Sequence, residues 1–174
     1  ERQGRYVAEM TECHVLDKRV AALLPQLTAM VSSLESREHI PQIEVACGDH
    51  VCALVFRHMV PLCTVDLAIL RAFALQHGMA VLLQPGGPES VYGLEPVQVR
   101  LDFALPAYGL TLEFGPSDFI QVNAGLNQAM IAHALQLLQP GQSDVVLDLF
   151  CGLGNFTLPL ARSAGKVVGV EGDA

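Results

Sequence analysis

The stretch "VLDLFCGLGNFTLPLA" at 146–161 limits what this chain can fold into more than any other. An apolar run of strand type ends in a sharp turn built on Gly152 and Gly154, then opens a helix. Glycine adopts positive φ without strain and lets a ligand approach the backbone, and a helix start presents free N–H groups. A second apolar run, "KVVGVEG" at 166–172, ends on Glu171, 23 positions beyond Asp148. Strand 145–150, glycine loop, helix 156–164 and strand 166–171 form the opening of a doubly wound α/β sheet. Asn123 is a good N-cap for a preceding helix through Leu126, Met130, Ala134 and Leu138, closed by Pro140-Gly141. Two parallel strands are too few for a sheet of this class, so the chain, which begins at Glu1, is expected to be a fragment cut at both ends.

The first 116 residues have a different rhythm. Val15, Val20, Leu23, Leu24, Leu27, Met30, Val31 and Leu34 recur at helical spacing over 14–36, with Pro25 implying a break or kink. "IEVACGD" (43–49) and "VCALVFRHM" (51–59) predict a hairpin, and 64–78 a helix with Thr64 as N-cap and Gly78 as C-cap. "AVLLQP", "SVYGL", "VRLDFAL" and "LTLEFGP" follow as short strands broken by Gly-Gly-Pro, Glu-Pro and Ala-Tyr-Gly turns. The expected organisation is a mixed α+β domain over 1–116 and the first part of a Rossmann-like domain over 117–174.

With 51% hydrophobic and 16% charged residues the chain can bury a core. Its net charge of −8 argues against this piece alone being the main electrostatic grip on nucleic acid. No apolar run reaches the roughly 18 residues of a membrane helix. Five cysteines without disulfide-scaffold spacing suit a reducing, cytoplasmic compartment. Cys47, Cys52 and Cys63 match no zinc pattern and read as core residues. The six histidines are scattered and read as structural or surface residues.

The ligand of the glycine loop follows from what the loop contains. Glu171 is placed to accept hydrogen bonds from both hydroxyls of a ribose. The loop has no lysine, which disfavours a triphosphate, and no third glycine, which disfavours a dinucleotide and an NAD-dependent oxidoreductase. Asp148 would repel a pyrophosphate but could pair with a cation. S-adenosylmethionine carries a sulfonium, an ammonium and no phosphate, and suits the loop best; a dinucleotide and an ordinary glycine turn remain alternatives.

"DFIQVN" (118–123), "LDLFCGLGNFTLPLA" (147–161) and "VVGVEG" (167–172) together resemble the RNA uracil-C5 methyltransferases, most closely the branch that methylates a uracil of 23S ribosomal RNA. "ECHVLDKRVAALLPQL" (12–27) extends the resemblance more loosely into the first domain. The resemblance implies an RNA-gripping OB-like domain, a central domain with an iron–sulfur cluster and a catalytic domain that binds S-adenosylmethionine. It implies that Gln121 touches the methionine end of the cofactor, that Phe150 and Asn155 line its pocket, and that Glu171 holds the ribose. It makes Cys13 the fourth ligand of a [4Fe–4S] cluster in the full-length parent, with none expected in this fragment.

C5 of uracil is a poor nucleophile, so the family adds a thiolate to C6 before methyl transfer and removes the C5 proton with a base. The resemblance places both groups outside this chain, leaving no catalytic residue within it, and Cys151 reads as a small packing residue. The fragment is therefore expected to be inactive alone. A tRNA-modifying branch without the cluster and a non-catalytic nucleotide-binding module are the alternatives.

Overall fold

A computed structural model describes residues 10–94 and 99–172. The chain divides into two compact units, Glu1–Val99 and Arg100–Ala174.

In the first unit, helices α1 (Lys18–Ala21) and α2 (Leu24–Ser33) precede strands β1 (Gln42–Cys47) and β2 (Cys52–Arg57), helix α3 (Thr64–His77) and strands β3 (Ala80–Gln84) and β4 (Tyr92–Gly93). They form a four-stranded sheet in the order β1-β2-β3-β4. β1 and β2 are an antiparallel hairpin, while β2 and β3 run parallel with α3 as the crossover. Alternation along the strands sends Cys52, Leu54, Phe56, Val81 and Leu83 into one core with Val20, Leu27, Met30, Leu34, Leu70 and Phe73 of the helices.

The expected helix over 14–36 is two pieces. The chain breaks at Leu23, just before Pro25 in the first turn of α2, where a missing N–H costs nothing. Residues 14–17 are outside any helix, and Asp17 caps α1 by accepting from the Arg19 N–H. Thr64 is the first residue of α3 rather than its cap; Cys63 Sγ accepts from the Asp66 N–H at 3.4 Å. Gly78 ends α3 with φ +62°, as expected. Cys47 and Cys52 sit opposite one another in the hairpin and form a disulfide, which corrects their reading as unlinked core residues. Spacing alone could not reveal this: register across the turn, not sequence distance, brings the two sulfurs together.

In the second unit, β5 (Leu101–Leu105) and β6 (Leu110–Phe114) form a hairpin. Helix α4 (Ala124–Leu138), strand β7 (Val145–Leu149), helix α5 (Thr157–Leu160) and strand β8 (Lys166–Val170) follow, with β7 and β8 parallel. Asn123 caps α4 as expected, its Oδ1 accepting from the Leu126 N–H at 2.9 Å. Leu105, Leu112 and Ile131 are the centre of a core that takes in Leu135 of α4 and Leu153 and Phe156 of the glycine loop. The hairpin and α4 thus form the floor on which the loop rests. This groups β5–β6 with the second unit, whereas the sequence reading set the division after residue 116.

The helix expected over 156–164 is regular only across Thr157–Leu160; 161–163 continue as turns. Gly165 is required where the chain re-enters β8, because a Cβ there would overlap the carbonyl of Gln142. The turn expected at Glu95-Pro96 lies outside the described residues. No described helix is long and apolar enough to cross a membrane.

Candidate functional site

β7 ends at Leu149, and the chain reverses through Phe150, Cys151, Gly152, Leu153 and Gly154. Three of these five residues have positive φ: Phe150 (+60°), Gly152 (+50°) and Gly154 (+88°). Glycine takes that region freely, but phenylalanine does so at a cost, and strain of this kind gathers at functional sites. The Phe150 ring is 87% exposed, beside the loop rather than in the core.

Glu171 follows β8 directly and turns its carboxylate onto the loop. One oxygen accepts from the Gly152 N–H at 2.7 Å, the other from its neighbour Gly172 N–H at 2.7 Å. The acid chosen from sequence spacing and the first glycine of the loop are therefore in contact. Gly152 has open space where a side chain would stand, whereas a Cβ on Gly154 would come within 3.2 Å of Leu158.

Asp148, half-buried near the end of β7, accepts a hydrogen bond from the Thr157 hydroxyl at 2.5 Å. That bond ties the strand to the first residue of α5 across the loop. Sequence reasoning assigned Asp148 to a cationic ligand and passed over Thr157, whose place one turn past the glycines was the available signal. Asn155 is half-buried and exchanges two hydrogen bonds with Asn127 of α4, at 2.9 and 2.7 Å. Asn127 was also passed over. Its signal was a polar residue four positions before buried Ile131, on the inward face of α4.

Gln121 lies exposed in the segment that leads into α4. Cys151 is a half-buried free thiol whose sulfur lies 2.9 Å from where a Cβ on Gly169 would stand, so it packs over β8. Glu171, Gly152, Gly154, Phe150 and Asp148 with Thr157 thus gather around one loop at the C-terminal end of β7. A parallel sheet binds its ligands at that end.

In the first unit Cys13 is a half-buried free thiol in an irregular segment. Donor atoms of Asp17, Cys47 and Cys52 approach within 4.8 Å of one another. The two sulfurs are bonded together and Arg19 takes both oxygens of Asp17, so nothing remains to hold a metal. The Arg19 guanidinium keeps the Asp17 carboxyl below its ordinary range. A [4Fe–4S] cluster needs four thiolates, and Cys13 has no second free cysteine in its segment.

The sequence model of the tRNA (uracil-5-)-methyltransferase family matches residues 8–172. The chain is 50% identical over 172 residues to a protein of Paracidovorax citrulli named 23S rRNA (uracil(1939)-C(5))-methyltransferase RlmD. The match covers 99% of this chain and 35% of that relative. It is 52% identical over 174 residues to the protein of the same name from Xanthomonas campestris, covering 100% of this chain and 39% of the relative. It thus spans little more than a third of the length of these relatives. The fold is shared with Pyrococcus abyssi tRNA (uracil-54, C5)-methyltransferase, solved with S-adenosyl-L-homocysteine. That likeness has a TM-score of 0.63 at 14% identity and covers 97% of this chain and 44% of the other. With the matched residues spanning both units, the chain belongs to the tRNA (uracil-5-)-methyltransferase family.

Proposed function

We propose that this chain supplies the first part of the cofactor site of an S-adenosylmethionine-dependent RNA methyltransferase that forms 5-methyluridine in 23S ribosomal RNA. The observation that carries the reading is the Glu171 carboxylate seated on the Gly152 N–H, at the loop where a parallel sheet binds ligands. Glu171 would exchange loop N–H groups for ribose hydroxyls, Phe150 would offer its exposed ring to the adenosine, and Gln121 and Asn155 would line the site. Asp148 would act through Thr157, holding the loop closed onto α5. The cofactor supplies an electrophilic methyl group; this chain's residues bind and orient it. The ribosomal substrate is preferred over tRNA because the relatives at 50–52% identity carry the ribosomal name.

The rest of the reading concerns the longer protein. The nucleophilic cysteine that adds to uracil C6 and the base that takes the C5 proton would lie outside these 174 residues. The first unit, residues 1–99, would belong to a central domain in which Cys13 is one of four cluster ligands, and the second, 100–174, to the catalytic domain. Its place of work would be the cytoplasm, where ribosomal RNA is modified.

Calorimetry with S-adenosylhomocysteine tests the reading. Glu171→Ala should weaken binding about tenfold to a hundredfold or more, since each charged hydrogen bond to a ribose hydroxyl is worth about 1.5–3 kcal/mol. Glu89→Ala, on an exposed turn of the first unit, should leave it unchanged. Equal affinities for wild type and Glu171→Ala would end the assignment.

A further inference from the structure

Asn127 is an unusual residue to find inside α4. Its side chain is 4% exposed, one turn beyond the helix start and one turn before fully buried Ile131. A buried amide must satisfy a donor and an acceptor, and apolar residues would fill the position at less risk. Asn127 meets the demand with a single partner. Its Nδ2 donates to Asn155 Oδ1 at 2.9 Å, and Asn155 Nδ2 donates back to Asn127 Oδ1 at 2.7 Å. This is a closed amide pair, in which one group can turn over only if the other does too.

The pair joins two pieces of chain that both reach the cofactor loop. Asn155 stands directly after Gly154, which sits at φ +88° and, lacking a Cβ, restrains its backbone less than other residues do. Asn127 stands on α4, a helix of 15 residues whose Asn123 cap follows Gln121 by two positions. Leu153 and Phe156, on either side of Gly154-Asn155, pack on the same core as Ile131 and give the loop adhesion without direction. Hydrogen bonds are directional where apolar contact is not.

We propose that Asn127 is a positioning residue for the cofactor site: through Asn155 it locks the glycine loop to α4 and so pre-orders the pocket. The inference rests on the function proposed above. Each amide keeps one N–H and one oxygen lone pair that the pair does not use, so Asn155 can still face a ligand while Asn127 fixes its plane. Pre-ordering lowers the ordering cost of binding and therefore acts on affinity.

Two variants of the full-length protein test this, with S-adenosylhomocysteine as the probe. Asn127→Leu keeps the branched outline of the side chain, at a somewhat larger volume, and removes the amide. It should retain the melting temperature within a few degrees, lose about tenfold in affinity and raise KM for the cofactor more than it lowers kcat. Asn127→Asp gives the sharper readout. Its ionised carboxylate has no proton to offer Asn155 Oδ1, whereas the protonated acid restores both bonds. Burial raises such a carboxyl's pKa, so the ratio of variant to wild-type affinity should recover as pH falls from about 8 towards 5. Asn155→Ala should cancel that pH dependence.

Full affinity in Asn127→Leu, or a flat ratio in Asn127→Asp, would overturn the positioning role. Absence of binding by the wild type would overturn the proposed function instead, so the two failures are distinct. Should Asn127→Leu fail to fold, the pH profile of Asn127→Asp decides alone.

Discussion

The two units each contain a parallel strand pair linked through a helix, and the pairs differ most in burial. β2 ("CALVFR") and β3 ("AVLLQ") are buried at every position except Arg57. β7 ("VVLDL") and β8 ("KVVGV") have no buried residue, and Val145, Leu147 and Leu149 are 70, 58 and 57% exposed. Composition does not separate them, since both pairs are mostly apolar. Neighbours do. β2 and β3 lie between β1 and β4 with helices against one face, whereas β7 and β8 form a two-stranded sheet served by a helix of four residues. Parallel sheets are normally covered on both faces. An apolar strand states what must be buried; the rest of the fold decides whether it is. The bare β7–β8 faces support the proposal that a longer protein completes this sheet.

The largest expected effect would break the comparison outright. Phe56 is fully buried in the first core, so Phe56→Ala should cost about 3–5 kcal/mol in urea unfolding of this chain. Leu147→Ala should stay within about 0.5 kcal/mol, as for other exposed substitutions. If a longer protein completes the sheet over Leu147, the Leu147→Ala cost there should rise to about 2–4 kcal/mol. A Leu147→Ala cost that is small in both settings would refute the idea that β7 is a core strand awaiting its cover.

The same contrast explains what could be read in advance. The glycine loop, its flanking strands, Glu171 and the Asn123 cap were legible because each depends on local chemistry: backbone freedom, a capping oxygen, a fixed spacing. The hairpin of β1 and β2 and the break at Pro25 were legible for the same reason. The Cys47–Cys52 bond and the Asn127–Asn155 pair were not, because each joins residues brought together by register or tertiary packing. α5 was overestimated because "NFTLPLA" has a helical pattern but only one hydrogen-bonded turn before the chain must bend towards Gly165. The grouping of β5–β6 with the second unit depends on Leu105 and Leu112 meeting Ile131, which periodicity alone does not specify.

A middle-sized effect should separate the units by pH. Asp66 in α3 is fully buried and accepts from the backbone N–H groups of Glu35 (2.8 Å) and Ser36 (3.1 Å), tying α3 to the chain beyond α2. Burial pushes its carboxyl up, but hydrogen bonds from Ser36, Glu35 and Cys63 together hold it below the ordinary range. A carboxyl that is more acidic folded than unfolded stabilises the fold above its unfolded pKa of about 3.9. That contribution is lost as pH falls through the lower folded value. Amide signals of 10–94 should therefore weaken on acidification below about pH 4 before those of 99–172. Asp66→Asn should cost about 1–3 kcal/mol at neutral pH and flatten that acid response. Simultaneous loss of both sets of signals in the wild type would show that Asp66 does not set the first unit's acid limit.

The smallest effect sharpens the comparison at the helix caps. α4 is capped by an amide oxygen 2.9 Å from the Leu126 N–H, α3 by a thiol sulfur 3.4 Å from the Asp66 N–H. Sulfur is the weaker acceptor, so the first unit, with the better core, has the poorer cap. Asn123→Ala should therefore destabilise the second unit by about 1 kcal/mol, the usual worth of a capping side chain. Cys63→Ser should do the reverse in the first unit. A hydroxyl is a better cap, fits the smaller volume and can still donate towards Glu35, which the thiol approaches at 3.6 Å. The expected gain is about 0.5 kcal/mol, read as a higher urea midpoint with unchanged slope. A loss on Cys63→Ser would mean that the half-buried sulfur contributes more by packing than it withholds as an acceptor, and that cap quality is not where the first unit has stability to gain.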